Sequence, residues 1–184
     1  MRARLLVGLT VLTLVGVATY TGLAGGRTRG AAVNRVGQSA SRPTTPVVTA
    51  NVPAGWHITS RPITSVARPV QRLVVTSFVL HQSRPDPGCG PTTAIREMPR
   101  TGAFLFLFEY SGVSRQEIAT FPPRPANFRL DPSSYRPYEC EGLSYLVRFR
   151  DAGREFQAQI YVGSHATSKT RRLLLGVLDS LRVR

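Results

Sequence analysis

The stretch LSYLVRFRDAGREFQAQIYV, residues 143–162, decides the fold because it predicts two strands joined by a tight turn. Apolar and polar side chains alternate along residues 143–150 and again along residues 155–162, which is typical of half-buried strands. Pairing positions whose numbers add to 305 places apolar residues opposite one another on the inner face. These inward pairs are Phe149–Phe156, Val147–Ala158, Tyr145–Ile160 and Leu143–Val162.

The same register predicts what lies on the outer face and at the turn. Arg150 lies opposite Glu155, and residues 151–154 form the turn, in which Gly153 adopts a positive φ.

Other strands flank this hairpin in the predicted sheet. Residues 103–108, AFLFLF, are continuously apolar and predict a central strand that is covered on both faces. Residues 70–80 predict another strand, and residues 56–59 predict a short edge strand. The side chains expected on one side of the strand at residues 70–80 are Val74, Thr76, Phe78 and Leu80.

Two helices are expected to pack on the sheet. Residues 164–168 supply hydroxyl groups suited to a helix start, and apolar residues then recur at helical spacing as far as Leu181. A shorter helix spans residues 92–98 and stops at Pro99, and residues 181–183 suggest a final short strand. The sequence therefore predicts an α+β fold: a mainly antiparallel sheet of five or six strands, packed by a C-terminal amphipathic helix and a shorter helix.

The N-terminus, residues 1–24, predicts a signal peptide or a single transmembrane anchor. Arg2 and Arg4 precede an apolar run at residues 5–24, which is 20 residues long. As a helix this run reaches about 30 Å, enough to cross the hydrocarbon core of a bilayer. The small residues Gly22 and Ala24 suggest the alternative, cleavage near Ala24 and secretion.

A linker and one domain follow the N-terminal segment. Residues 25–50 are rich in Gly, Ala, Ser, Thr, Arg and Pro and predict a flexible linker, and residues 51–184 predict one extracytoplasmic domain. Arginines lie on both sides of the apolar run, so charge does not settle the orientation. We expect the C-terminal domain to lie outside because Cys89 and Cys140 suit an oxidising compartment.

The net charge of +14 is spread along the chain. Six arginines and no acidic residue lie within residues 1–50, so the remaining 18 basic and 10 acidic residues leave residues 51–184 with a net charge of +8. Every basic residue except Lys169 is arginine, which indicates a GC-rich coding sequence. This diffuse charge disfavours a nucleic-acid partner, while an anionic envelope polymer or lipid remains an alternative.

The two cysteines predict a disulfide between Cys89 and Cys140. Closing a loop of about 50 residues would stabilise the fold by about 4 kcal/mol in the chain-entropy model. The alternative is a hydrolase with Cys89 as nucleophile at a helix start, followed in sequence by His165 and Asp179. Against it, Pro99 cuts the helix short, and Cys140 offers Cys89 a partner.

Arginines of the hairpin form a candidate anion-binding patch. Arg148, Arg150 and Arg154 lie on the outer face or at the turn, and Arg171 and Arg172 extend the patch if the C-terminal helix lies alongside. The alternative is an ordinary solvated sheet face. The three histidines show no metal-ligand spacing, and no complete catalytic or cofactor motif occurs, so neither metal nor cofactor is expected.

Several segments resemble the PsbP-like domains of exported bacterial proteins: residues 52–56, VPAGW, the hairpin, and the closing LDSLRV of residues 178–183. The resemblance implies an α/β/α sandwich with a binding or assembly role and no catalysis, and it transfers no functional residue. The expected function is therefore that of a non-enzymatic, membrane-anchored or secreted extracytoplasmic domain for interaction or ligand binding at the cell envelope. Its partner would be an envelope protein or an anionic polymer.

Overall fold

An antiparallel sheet of six strands forms the centre of the computed structural model, which describes residues 47–138 and 142–184. The segment at residues 1–24 and the linker as far as residue 46 lie outside the described residues. The strands are β1 (Val48–Thr49), β2 (His57–Thr59), β3 (Val70–Thr76), β4 (Ala103–Tyr110), β5 (Tyr135–Tyr138), β6 (Gly142–Asp151), β7 (Arg154–Val162) and β8 (Arg182–Val183). The helices are α1 (Thr92–Glu97), α2 (Arg115–Ile118) and α3 (Ser168–Asp179), with a 3-10 turn at Pro132–Ser134.

The strands of the main sheet run in the order β2-β3-β4-β7-β6-β5, and every neighbouring pair is antiparallel. Strands β1 and β8 form a separate antiparallel pair. The prediction of an α+β fold built on a mainly antiparallel sheet is therefore confirmed.

The predicted hairpin is β6–β7. Its ladder contains Tyr145–Ile160, Val147–Ala158, Phe149–Phe156 and Arg150–Glu155, as the sequence predicts. Ala152 and Gly153 at the turn have φ of 49° and 72°, the pair of positive values found in a type I′ turn.

The predicted register holds for every pair of the β6–β7 ladder, which ends at Tyr145–Ile160 and does not reach Leu143–Val162. Leu143 lies opposite Pro137 of β5 and its residue surface is 54% exposed, so it does not contribute to the core. At this end β6 pairs with the edge strand β5.

The central strand β4 is buried on both faces, as expected. On one face Leu105 and Leu107 pack in a cluster with Leu174 and Leu178 of α3. On the other face Phe104, Phe106 and Phe108 pack with Ile63 and with Ala94 of α1. The sheet therefore lies between α3 on one side and α1 on the other.

The lengths of some elements differ from the prediction. Strand β3 ends at Thr76, so Phe78 and Leu80 lie beyond it, although both still pack against the α1-side cluster. Just beyond this end, Ser77 still bonds the start of β4: its Oγ accepts from the Ala103 N–H at 2.8 Å, and its own N–H donates to the Ala103 carbonyl at 2.9 Å. Helix α3 begins where predicted, since Thr167 caps it by accepting from the Thr170 N–H.

Candidate ligand-binding site

A tight turn between α1 and β4 forms one wall of the candidate site. The Gly102 N–H donates to the Pro99 carbonyl at 2.8 Å, and the Gly163 N–H, just after β7, donates to the Gly102 carbonyl at 2.8 Å. The His165 N–H donates to the Arg100 carbonyl at 2.8 Å. These bonds hold the turn against the residues that precede α3.

Gly163 is required at this contact. A Cβ atom there would lie 2.2 Å from the Arg100 carbonyl oxygen, far inside van der Waals contact. The absence of a side chain at position 163 therefore lets the two backbones meet.

A cleft of about 320 Å³ opens beside this turn, at the N-terminal end of α3. Its volume is at the lower end of the range for small-molecule sites, roughly 300–1,000 Å³. We call it the α3 cleft, and it is lined by Trp56, Ser77, Pro99, Thr101, Gly102, Lys169, Thr170 and Leu173.

Polar groups in the α3 cleft suit an anionic or hydroxylated ligand. Lys169 lies in the first turn of α3, where the helix dipole also favours negative charge, and its exposed ammonium group carries three donors. The hydroxyl of Ser77 accepts from Ala103, which leaves its own hydrogen for a ligand. Thr101 adds a second hydroxyl at the exposed rim.

Trp56 gives the cleft an aromatic wall. The residue is half-buried and packs against the core cluster on the α3 side of the sheet while also lining the cleft. Its ring combines a large apolar surface with one N–H donor. Together with Lys169 it can bind a ligand that has both charge and apolar surface.

One feature of the sequence points to this site, although the sequence prediction did not include it. Lys169 is the only lysine of the chain, and the first turn of α3 contains no acidic residue. A cation at this end of a helix is disfavoured by the dipole, so helix stability does not explain its position.

The predicted arginine patch is divided by the fold. Arg148 is held by internal contacts: its Nε donates to Gln157 at 3.1 Å, and its guanidinium lies 5.4 Å from the ring centre of Phe121. Arg150 is exposed, and its backbone pairs with residues 122–124 through bonds to Pro122 and Arg124.

Arg154 lies on the opposite face of the hairpin, so its predicted place beside Arg148 and Arg150 is wrong. Its Nε and Nη2 bind the Glu109 carboxylate at 2.8 and 2.5 Å, and Arg72 binds the same carboxylate from β3. The reason is strand alternation: position 154 shares its face with Phe156, which lies directly opposite Glu109.

This Arg–Glu–Arg group is largely withdrawn from water. The side chains of Arg72, Glu109 and Arg154 are 18%, 11% and 16% exposed. Burial raises the pKa of Glu109, but the hydrogen bonds and positive charges of Arg154 and Arg72 together lower it more, so the pKa lies below its ordinary value. The carboxylate therefore stays ionised and joins β3, β4 and β7.

Arg171 and Arg172 do not extend the predicted patch. They belong to α3, which packs on the face of Phe149 and Phe156, whereas Arg148 and Arg150 alternate to the other face. The helix therefore does not lie alongside the outer face of the hairpin, and the five arginines do not form one surface.

The residues of the alternative nucleophile hypothesis are not assembled either. His165 precedes α3 and Asp179 is its last residue, so the two lie at opposite ends of a 12-residue helix that is about 18 Å long. Asp179 accepts from the Phe128 N–H at 2.8 Å, and Cys89 precedes α1 on the other side of the sheet. Cys140 lies outside the described residues, so the Cys89–Cys140 disulfide stays a prediction.

Residues 47–138 and 142–184 contain no group of three His, Cys, Asp or Glu residues able to hold a metal ion. In the same residues no helix has the length and hydrophobicity needed to span a bilayer. Comparison of the chain with protein-family models, with curated proteins and with solved structures gave no match.

Proposed function

We propose that this chain is a non-enzymatic extracytoplasmic domain that binds an anionic polymer of the cell envelope in the α3 cleft. It is held at the membrane through residues 5–24 or released by cleavage near Ala24. The signal-like N-terminus and the two cysteines support a location outside the cytoplasm.

The observation that carries the proposal is that Lys169 and Trp56 line the same cleft at the N-terminal end of α3. The ammonium group and the positive end of the helix dipole both favour a phosphate or carboxylate group. The Trp56 ring packs against the carbon skeleton of the repeating unit, and the hydroxyls of Ser77 and Thr101 serve its polar groups. Both Lys169 and Thr101 are exposed, so the cleft is accessible from solvent at these residues.

Charge and fold add support. The net charge of +8 in residues 51–184 attracts a polyanion over a distance of about a Debye length, roughly 8–10 Å in physiological salt. A sheet with helices on both faces is the layer order that the PsbP-like resemblance implies, and that resemblance favours a binding role.

Isothermal titration calorimetry of the full chain tests the proposal. The probes are a short poly(glycerol phosphate), which carries phosphodiesters, polygalacturonate, which carries carboxylates, and neutral dextran. We expect one of the two polyanions to bind, the affinity to fall as salt is raised, and dextran not to bind. The polyanion that binds with the higher affinity shows whether the site prefers phosphodiesters or carboxylates.

Variants locate the site. Lys169→Gln should weaken binding about fivefold, the equivalent of an exposed charged contact of about 1 kcal/mol. Arg172→Gln is the matched control because Arg172 is an exposed cation of the same helix that does not line the cleft. Equal effects of the two substitutions would contradict the proposal. If Arg150→Gln weakened binding and Lys169→Gln did not, the polymer would bind on the outer face of the hairpin instead of in the α3 cleft.

A further inference from the structure

The edge strand β2 leaves one side of the sheet open. Among the described strands it pairs only with β3, and both His57 and Ile58 are exposed. The N–H and C=O groups on the outer edge of such a strand are a template for a further strand.

A groove lies along β2 on the α1 side of the sheet. It has a volume of about 240 Å³ and is lined by His57, Ile58, Thr59, Arg61, Val74, Thr76, Val79 and Leu80. We call it the β2 groove. Sites for whole drug-sized ligands span roughly 300–1,000 Å³, so this volume fits a side chain better than a complete ligand.

Apolar surface is exposed on both faces of the β2 edge. Val79, in the groove, is 54% exposed, and Ile58 is 49% exposed. Ile58 lies opposite Val75, which faces α3, whereas Thr59 lies opposite Val74, which faces α1. Side chains of a strand added at this edge would alternate in the same way, one entering the groove and the next covering Ile58.

Arg61 gives the groove a positive charge. One of its nitrogens donates to the Gln82 carbonyl, which holds the side chain in place. The residue is exposed, and no ion pair to it occurs among the described residues. The guanidinium is therefore placed to bind a carboxylate at the end of the groove.

We propose that the β2 groove binds an extended, carboxylate-bearing segment of a partner protein, which adds to the sheet beside β2. Main-chain hydrogen bonds to β2 provide the pairing, an apolar side chain fills the groove, and a carboxylate of the segment binds Arg61. This site uses residues other than those of the α3 cleft and does not depend on polymer binding there.

Selection from a displayed library of random hexapeptides on the full chain tests the proposal. We expect enriched sequences to combine an apolar β-branched or aromatic residue with an acidic residue. The most enriched hexapeptide is then synthesised with and without N-methyl groups on alternate peptide bonds. Because N-methylation removes main-chain donors and leaves the side chains intact, it should weaken binding about tenfold.

Substitutions test the position of the peptide. Ile58→Lys and Val79→Asp should each weaken binding of that hexapeptide about tenfold, since each places a charge against the added strand. Leu143→Lys, at an equally exposed apolar residue beside the opposite edge strand β5, is the control and should leave the affinity within about twofold. Circular dichroism of each variant verifies that it is folded.

Three results would overturn the proposal. The first is a selection in which no peptide is enriched on the native chain relative to the Ile58→Lys variant. The second is a hexapeptide whose affinity is unchanged by N-methylation, and the third is an equal loss of affinity in Val79→Asp and Leu143→Lys. Sedimentation velocity of the full chain adds a further check. Self-association that Ile58→Lys abolishes would identify a second copy of this chain as the occupant in place of a partner protein.

Discussion

Replacing Glu109 by Gln perturbs the group that joins three strands of the sheet. Glu109 accepts from Arg154 Nε at 2.8 Å, from Arg154 Nη2 at 2.5 Å and from Arg72. With all three side chains less than a fifth exposed, removal of the carboxylate charge leaves two guanidinium groups with poor solvation and mutual repulsion. Breaking a buried ion pair by removing one partner typically costs about 3–5 kcal/mol. We expect about 3 kcal/mol here because the amide oxygen of Gln can still accept a hydrogen bond from an arginine.

Chemical denaturation at pH 7 measures this loss as a lower denaturant midpoint with an unchanged slope. For a domain of this size the melting temperature should fall by about 10 °C. Glu155→Gln is the control, since Glu155 lies on the same hairpin and no ion pair of it occurs in the described part of the chain. An exposed ion pair contributes at most about 1 kcal/mol to stability. A loss below that value for Glu109→Gln would therefore show that the Arg72–Glu109–Arg154 group does not behave as a buried one.

The same carboxylate predicts a pH dependence. The pKa of Glu109 is lower in the folded state than in the unfolded state, so its stabilising contribution is complete above the ordinary value of about 4.3. That contribution is lost as the pH falls through the folded-state pKa. The difference in stability between the native chain and Glu109→Gln should therefore shrink on acidification below about pH 4.

Further predictions concern stability. Gly163→Ala should cost about 2–3 kcal/mol because its Cβ would overlap the Arg100 carbonyl, while Gly176→Ala, inside α3 with open space around it, should stabilise by up to about 1 kcal/mol; similar unfolding midpoints would contradict this. Ala152→Asn should raise stability by about 0.5–1 kcal/mol, measured by thermal melting, since Asn tolerates the positive φ of the turn; a lower midpoint would be the contrary result. Reduction should cost about 4 kcal/mol if Cys89 pairs with Cys140 as predicted, and one readily alkylated thiol in the intact protein would exclude that pairing.

The register of the β6–β7 hairpin could be predicted because its two faces differ in polarity, so a slip of one residue would expose the core face. The continuous apolar run of β4 likewise identified a strand with both faces covered. The inner-face position of Arg154 differs from its predicted place on the outer face or at the turn. Its partner Glu109 comes from another strand, and no local pattern shows that pairing.

Strand β5 was missed because it lies in a proline-rich segment. Pro137 cannot donate to a ladder, and it is tolerated because β5 is an edge strand that needs partners on one side only. Strand β1, two residues long, forms only by pairing with β8 at the other end of the domain. Neither element has a local periodicity long enough to be recognised.

The α3 cleft could not be predicted because its residues are distant in sequence. Trp56, Ser77, Thr101 and Lys169 come from four separate segments, and the turn at Pro99–Gly102 brings them together only when it meets the residues before α3. The one local sign was the lone lysine at a helix end where a cation is disfavoured.

The fluorescence of Trp56 tests the central claim most directly, since Trp56 is the only tryptophan of the chain and lines the cleft. On titration with the polyanion that binds in calorimetry, its emission should change and saturate with the affinity measured by calorimetry. In Lys169→Gln the same change should require about five times more polymer, while Arg172→Gln should match the native chain. Calorimetric binding without any change in Trp56 emission would place the polymer elsewhere and contradict the assignment of the α3 cleft.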